Sequence, residues 1–101
     1  MAAAKESVIE AELVVRVTLA GGLAEKVTVI GRRGFFDRLV ILPGPRVIFV
    51  ELKRPRGGVL SMHQKRWHAR CRALGVEVAL VRRSEDIDRL LSPRQHEGRS
   101  A

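Results

Sequence analysis

The sequence predicts an α/β domain, a mixed central sheet with helices on its faces in the order α-β-β-β-α-β-α. Three observations carry that prediction. Apolar residues recur at helical spacing near the start, two β-branched runs flank "PGPR", and a third short apolar run follows a helix that closes on Gly75. The chain has 101 residues and 46% hydrophobic content, enough for one domain with a substantial core. That domain is expected over 1–92, with 93–101 as a flexible polar tail.

From Glu6 to Ala20, Val8, Ile9, Leu13, Val17 and Ala20 recur at the period of an amphipathic helix, which Gly21 and Gly22 end. Ser7 suits the N-cap, with Glu10 three residues on as its capping-box partner; an earlier start is the alternative. Val27 and Val29 alternate with Lys26 and Thr28, which predicts a half-exposed strand over Leu23 to Ile30. "GRRG" reads as a basic loop. Asp37 to Leu42 and Val47 to Lys53 form a hairpin, since the prolines and glycine of "PGPR" cannot continue a ladder but suit a connection. "KRPRGG" makes a second basic loop. Ser61 then opens a helix expected to carry Met62, Trp67, Cys71 and Leu74 inward. Val76 to Val81 is the fourth strand, and Ser84 is expected to cap a last helix running to about Leu91, with Glu85 and Asp86 in its first turn.

Nineteen Lys plus Arg against eleven Asp plus Glu leave a formal charge of +8, which favours an acidic polymer, nucleic acid first, as the partner. Arg32 and Arg33 in one loop, Arg54 and Arg56 in the other, and Lys65 and Arg66 on the helix are the candidate phosphate contacts. Cys71 is the only cysteine, so no intramolecular disulfide forms and a reducing, cytoplasmic setting is expected. No run reaches the length of a membrane span. Cys71 with His63, His68 and His96 matches no zinc-ligand spacing.

The hairpin raises a chemical question. Glu51 and Lys53 share one face of their strand, with Leu52 on the other. Folding at "PGPR" brings Asp37 opposite Glu51 or Leu52, depending on the turn. Two carboxylates that close repel unless a cation lies between them. A hard ion such as Mg²⁺ takes oxygen ligands and keeps several waters, so Asp37, Glu51 and the Leu52 carbonyl form one side of a plausible octahedron. Lys53 is placed to neutralise charge growing on a phosphoryl group.

The segment Asp37, thirteen residues, then Glu51-Leu52-Lys53 resembles the PD-(D/E)xK nuclease signature. The longer stretch from "GRRGFFD" through "ELKRPRGGVLSMHQKRW" is similar to the VRR-Nuc family of that superfamily, and the likeness runs from Glu6 to about Leu91. The resemblance implies a restriction endonuclease-like fold and a Mg²⁺- or Mn²⁺-dependent endonuclease acting on branched DNA such as Holliday junctions or flaps, as a homodimer. It implies Asp37 and Glu51 as metal ligands, Lys53 as the catalytic lysine and Gln64 as a supporting glutamine. It also places a first-helix glutamate beside the metal, for which Glu6 and Glu10 both qualify, Glu10 being preferred if Ser7 caps. Gln64 is equally the capping-box partner of Ser61, and the two roles are compatible. The sequence departs from the family where proline precedes the aspartate: this chain has Phe36, and "TVIG" lacks a Ser-Pro pair upstream. Trp67 is read as core rather than as a base-stacking platform. A basic DNA-binding module that keeps the fold without turnover is the alternative function, and a structural partner in a larger complex is a third.

Overall fold

The structure is a computed structural model in which residues 5–93 are described; the expected tail past Pro93, with His96, lies outside them. The element order is the one the sequence predicts: α1 (Glu6–Leu19), β1 (Leu23–Lys26), β2 (Arg38–Leu42), β3 (Arg46–Leu52), α2 (Met62–Ala73), β4 (Glu77–Val81) and α3 (Ser84–Leu91).

Ile9, Leu13 and Val17 sit at strict four-residue steps and form the buried stripe of α1, while Val8 and Ala20 stay exposed. The helix stops at paired glycines. Gly21, at φ +88°, donates its N–H to Thr18, and Gly22 donates to Val17, so two terminal carbonyls are satisfied by a left-handed exit that a side chain at Gly21 would strain. The start is the earlier of the two expected ones, not the one capped by Ser7: Lys5 holds the N-cap position, Ser7 lies inside the helix, and Glu10 accepts from Arg38 Nε at 2.9 Å. The earlier start brings Glu6 into the rigid first turn.

The four strands form one sheet in the order β1-β2-β3-β4, antiparallel across the first two pairs and parallel between β3 and β4. A parallel pair needs a crossover, and α2 supplies it. β1 is shorter than predicted: its ladder ends at Lys26 opposite Arg38, with one further bond from Val27 N–H to the Asp37 carbonyl. Beyond that the chain leaves to build the loop through Gly31 and Gly34, both at positive φ, and Ile30 is left 95% exposed. The hairpin pairs Leu42 with Arg46, so its connection is Pro43-Gly44-Pro45, with Gly44 at φ +105°.

The two faces of the sheet carry different cores. Ala24, Val40, Leu42, Ile48, Val50, Leu52 and Val81 pack against Ile9, Leu13 and Val17 of α1 and Ile87 and Leu90 of α3. Each such aliphatic side chain contributes roughly 1.5–3 kcal/mol when fully buried. The opposite face, under α2, is smaller and mixed: Phe36, Phe49, Glu51, His68 and Cys71 meet there.

α2 turns a different face inward from the one expected. Met62 and Leu74 are exposed, at 63% and 75%, and Trp67 is half-buried at the rim; His68 and Cys71 point in. Gln64, His68 and Cys71 follow the four- and three-residue steps of a single stripe, and the polar character of the first two hides it from a hydrophobicity search. Ser61 does cap α2, and Gly75 closes it with Gly75 N–H to Arg72 and Val76 N–H to Cys71. In α3, Arg83 rather than Ser84 occupies the N-cap position. The Asp86 carboxylate takes over the capping by accepting from the N–H groups of Arg82 and Arg83, while Ser84 Oγ donates to Glu12 of α1 at 2.6 Å. Burial raises the Asp86 pKa, but those N–H groups and Arg89 outweigh it and hold the carboxyl below its usual range.

Candidate active site

The site lies where the open end of the β2–β3 hairpin meets the start of α2. Continuing the register one step past Arg38 and Val50 sets Asp37 opposite Glu51. Asp37 N–H donates to the Val50 carbonyl at 3.0 Å, and its Oδ2 accepts from Leu52 N–H at 2.7 Å. The aspartate is thereby fixed to the backbone on both sides of Glu51. Both partners named for it from sequence are present, one by register and one by a side-chain hydrogen bond.

Glu51 is only 1% exposed. Its Oε2 accepts from Gln64 Nε2 at 2.8 Å, and Lys53 Nζ lies 3.8 Å from the same oxygen. Gln64 is also the capping-box residue: its Oε1 accepts from Ser61 N–H, and its own N–H donates to Ser61 Oγ. One amide group thus closes the helix with its oxygen and holds the buried carboxylate with its nitrogen. The capping box and the contact to Glu51 are made by the same side chain.

Burial, then the charge of Asp37 and a hydrogen bond to it, push the Glu51 pKa up to about 8; Lys53 opposes this and Glu6 adds to it. The first turn of α1 therefore lies within electrostatic reach of the carboxylate through Glu6, while Glu10 is paired with Arg38.

His68 is the residue that sequence reasoning passed over. Its Nε2 lies 3.8 Å from Glu51 Oε1, and neither atom has a hydrogen-bond partner. The separation is within ion-pair range, but burial first, then the charges of Arg72 and Lys53, lower the His68 pKa. Both shifts work against an ion pair between the two. Phe36 stacks on His68 at 4.6 Å and on Phe49 at 5.3 Å. The residue that replaces the expected proline is thus a buried aromatic plug beneath the aspartate, 2% exposed. The position of His68 four residues after Gln64 was the available signal.

The chain matches no family model. It is 46% identical over 87 residues to "Putative nuclease p44" of Acyrthosiphon pisum secondary endosymbiont phage 1, a match spanning 86% of this chain and 91% of that protein. A solved structure described as "VRR_NUC domain" superposes with a TM-score of 0.80 at 34% identity, covering 87% of this chain and 96% of that one. The chain belongs to the VRR-Nuc family. It is a VRR-Nuc nuclease domain of restriction endonuclease-like fold, with a four-stranded mixed sheet and three helices.

In this VRR-Nuc domain the residues named from sequence fall into two groups. Asp37, Glu51, Lys53 and Gln64 come together, with Glu6 in electrostatic reach and Glu10 engaged by Arg38. The arginines surround them. Arg32, Arg33 and Arg66 line one open cleft with Gly31, His63, Trp67 and Arg70, while Lys65 lies on the exposed surface of α2. Arg54 and Arg56 are exposed on the loop after β3, which Arg82 and Arg83 hold from below: Arg82 donates to the Arg54 and Gly58 carbonyls and Arg83 to that of Pro55.

Among the described residues no three His, Cys, Asp or Glu side chains converge closely enough to enclose an ion by themselves. The donors present nonetheless suit a hard, partly hydrated one. Two carboxylates stand close enough for each other's charge to be felt, Leu52 brings its backbone beside Asp37, and Glu51 Oε1 is buried without a partner. A divalent cation held there would relieve both the repulsion and the unsatisfied oxygen.

Proposed function

We propose that this VRR-Nuc chain is a Mg²⁺- or Mn²⁺-dependent endonuclease that hydrolyses phosphodiesters in branched DNA such as Holliday junctions or flaps. The observation that carries the reading is the approach of Asp37 to a Glu51 buried deeply enough to hold its proton up to about pH 8. Charge of one sign gathered out of water is costly unless a cation compensates it. Asp37, Glu51 and the Leu52 carbonyl are the holding atoms, with Glu6 the first-helix candidate whose charge is felt at Glu51. When bound, the ion makes a water more acidic and polarises a phosphoryl oxygen.

The chain's own groups do the rest. Gln64 fixes the Glu51 rotamer through Oε2. Lys53, 18% exposed in its side chain, can turn from Glu51 toward a phosphate and neutralise charge that builds on its oxygens. Arg32, Arg33, Arg54, Arg56, Lys65 and Arg66 meet the DNA backbone, which gives affinity without sequence readout. Paired cuts across a junction need two sites, and the exposed Val8, Val15, Leu19 and Leu23 on α1 and β1 offer an apolar surface for a homodimer. The buried, unpaired thiol of Cys71 suits the reducing cytoplasm. No helix among the described residues is long and apolar enough to cross a membrane.

The test is cleavage of a four-way junction, a flap and plain duplex with Mn²⁺ or EDTA. The expected outcome is metal-dependent nicking that falls by about 10²-fold or more in Lys53→Ala, with DNA binding retained. Binding without product under every metal condition would instead identify a non-catalytic DNA-binding module.

A further inference from the structure

An open cleft of about 640 Å³ is lined by Arg32, Arg33, Arg66 and Arg70 together with His63 and Trp67. Trp67 is rigidly held there. Its indole N–H donates to the Arg33 carbonyl at 3.0 Å, its ring meets Phe35 edge-to-face at 4.9 Å, and the Arg32 guanidinium lies over it at 5.8 Å. Sequence reasoning placed this tryptophan in the core, yet α2 buries His68 and Cys71 instead and leaves the indole at the surface among cations.

The cleft adjoins the active site. Gly34, next in sequence to the cleft's Arg33, approaches α2 so closely that a Cβ there would stand 2.5 Å from His63 Cβ and 2.9 Å from Gln64 N, and Gln64 holds Glu51. The cleft residue His63 is thus the sequence neighbour of Gln64, which holds Glu51.

We propose that this cleft binds an unpaired nucleotide, its base stacked on Trp67 and Arg32 and its flanking phosphates held by Arg33, Arg66 and Arg70. The chemistry argues for a single strand. Cations alone would take any phosphate backbone, but an aromatic face and a guanidinium plane add affinity only for a base free to leave its own stack. In a duplex the bases are paired and stacked, and only phosphates reach the arginines. The cleft is then the element that separates a flap or branch from plain duplex. This rests on the nuclease reading of the neighbouring site and adds to it the strand that the site prefers.

Trp67 is the chain's only tryptophan, so its emission reports the cleft alone. The experiment titrates the full chain, in EDTA so that nothing is cut, with a thymidine oligonucleotide, a 5′-flap and a blunt duplex of equal length. The expected result is quenching by the first two, reversed by salt, with the blunt duplex leaving emission unchanged. Fluorescence anisotropy with labelled DNA gives the second reading: Trp67→Ala weakens flap binding by about tenfold and duplex binding by less than twofold. Arg70→Ala, a surface change that leaves the fold intact, weakens flap binding by a similar factor. Equal quenching by blunt duplex, or no quenching by the flap, overturns the proposal, as does an equal loss of flap and duplex binding in Trp67→Ala. Nicking of a fully paired four-way junction with Mn²⁺, measured separately, reports the nuclease reading alone, so the two failures are distinguishable.

Discussion

Gln64 donates its Nε2 to Glu51 Oε2 at 2.8 Å while its Oε1 accepts from the backbone of Ser61. The position of the buried carboxylate and the start of α2 are therefore set by one side chain. Ser61→Ala removes the cap without touching Glu51 and is expected to cost about 1 kcal/mol of stability with cleavage rate within a few-fold of the parent. Gln64→Ala removes both and is expected to lower cleavage at least tenfold at similar stability loss. Urea denaturation beside single-turnover cleavage checks the pair, and equal rate losses in the two variants would deny Gln64 a positioning role.

Glu51 carries a pH signature in the metal-free protein. Its pKa is raised by burial and by Asp37 from 4.5 to about 8, so between those values the folded state holds a proton that the unfolded state has released. The stability tied to this group is full below about pH 4.5, declines as pH rises toward 8 and is flat above. Glu51→Gln is expected to remove that decline, raise Tm at pH 9 by about 4–8 °C or more, and abolish cleavage. Thermal melts of both proteins in EDTA from pH 5 to 9 decide it. Adding Mn²⁺ is expected to raise Tm of the parent at pH 8 and leave Glu51→Gln nearly unmoved, because ligand binding stabilises only the form that has the site.

Glu6 and Glu10 separate by their partners. Glu10 is engaged by Arg38 at 2.9 Å in a partly buried pair, whereas the charge of Glu6 is felt at Glu51. Glu10→Gln is expected to lower stability by about 1 kcal/mol with Mn²⁺ affinity unchanged. Glu6→Gln is expected to weaken Mn²⁺ binding several-fold at unchanged stability. Isothermal titration with Mn²⁺ distinguishes them, and the reverse pattern would move the metal to Glu10.

His68 Nε2 and Glu51 Oε1 are both buried without hydrogen bonds, 3.8 Å apart. An unsatisfied polar atom costs its desolvation, so an apolar side chain of similar size can replace it without loss. His68→Leu is expected to keep Tm within about 2 °C of the parent or raise it, in contrast to the loss normally seen on changing a buried residue. A large drop would show that the imidazole satisfies a partner when the protein is in solution.

Much of this was legible in the chain. Order, hairpin and glycine stops follow from periodicity and turn chemistry, and the hairpin brings Asp37 opposite Glu51 or Leu52, between which the observed register chooses Glu51. What escaped were consequences of tertiary packing. Ser7 does not cap because the helix begins before it, at Glu6, and its expected partner Glu10 pairs with Arg38, distant in sequence. β1 ended early because the loop to Asp37 must turn away at Gly31 and Gly34. The inner face of α2 was misassigned because Gln64 and His68 look like surface residues until the buried glutamate they face is known. Trp67 was read inward for the same reason, by hydrophobicity alone.

Pro43-Gly44-Pro45 is as far from the chemistry as the hairpin allows, roughly 17 Å along a five-residue strand. It nonetheless dictates which way every side chain of β3 points. Deleting one residue there and re-pairing the arms would swap inside for outside along the strand, sending Glu51 and Lys53 into the aliphatic core and Leu52 into the cleft. That short connection thus works as the molecule's keying device: a miscounted bend would scatter the residues of the proposed site as surely as the loss of one of its acids.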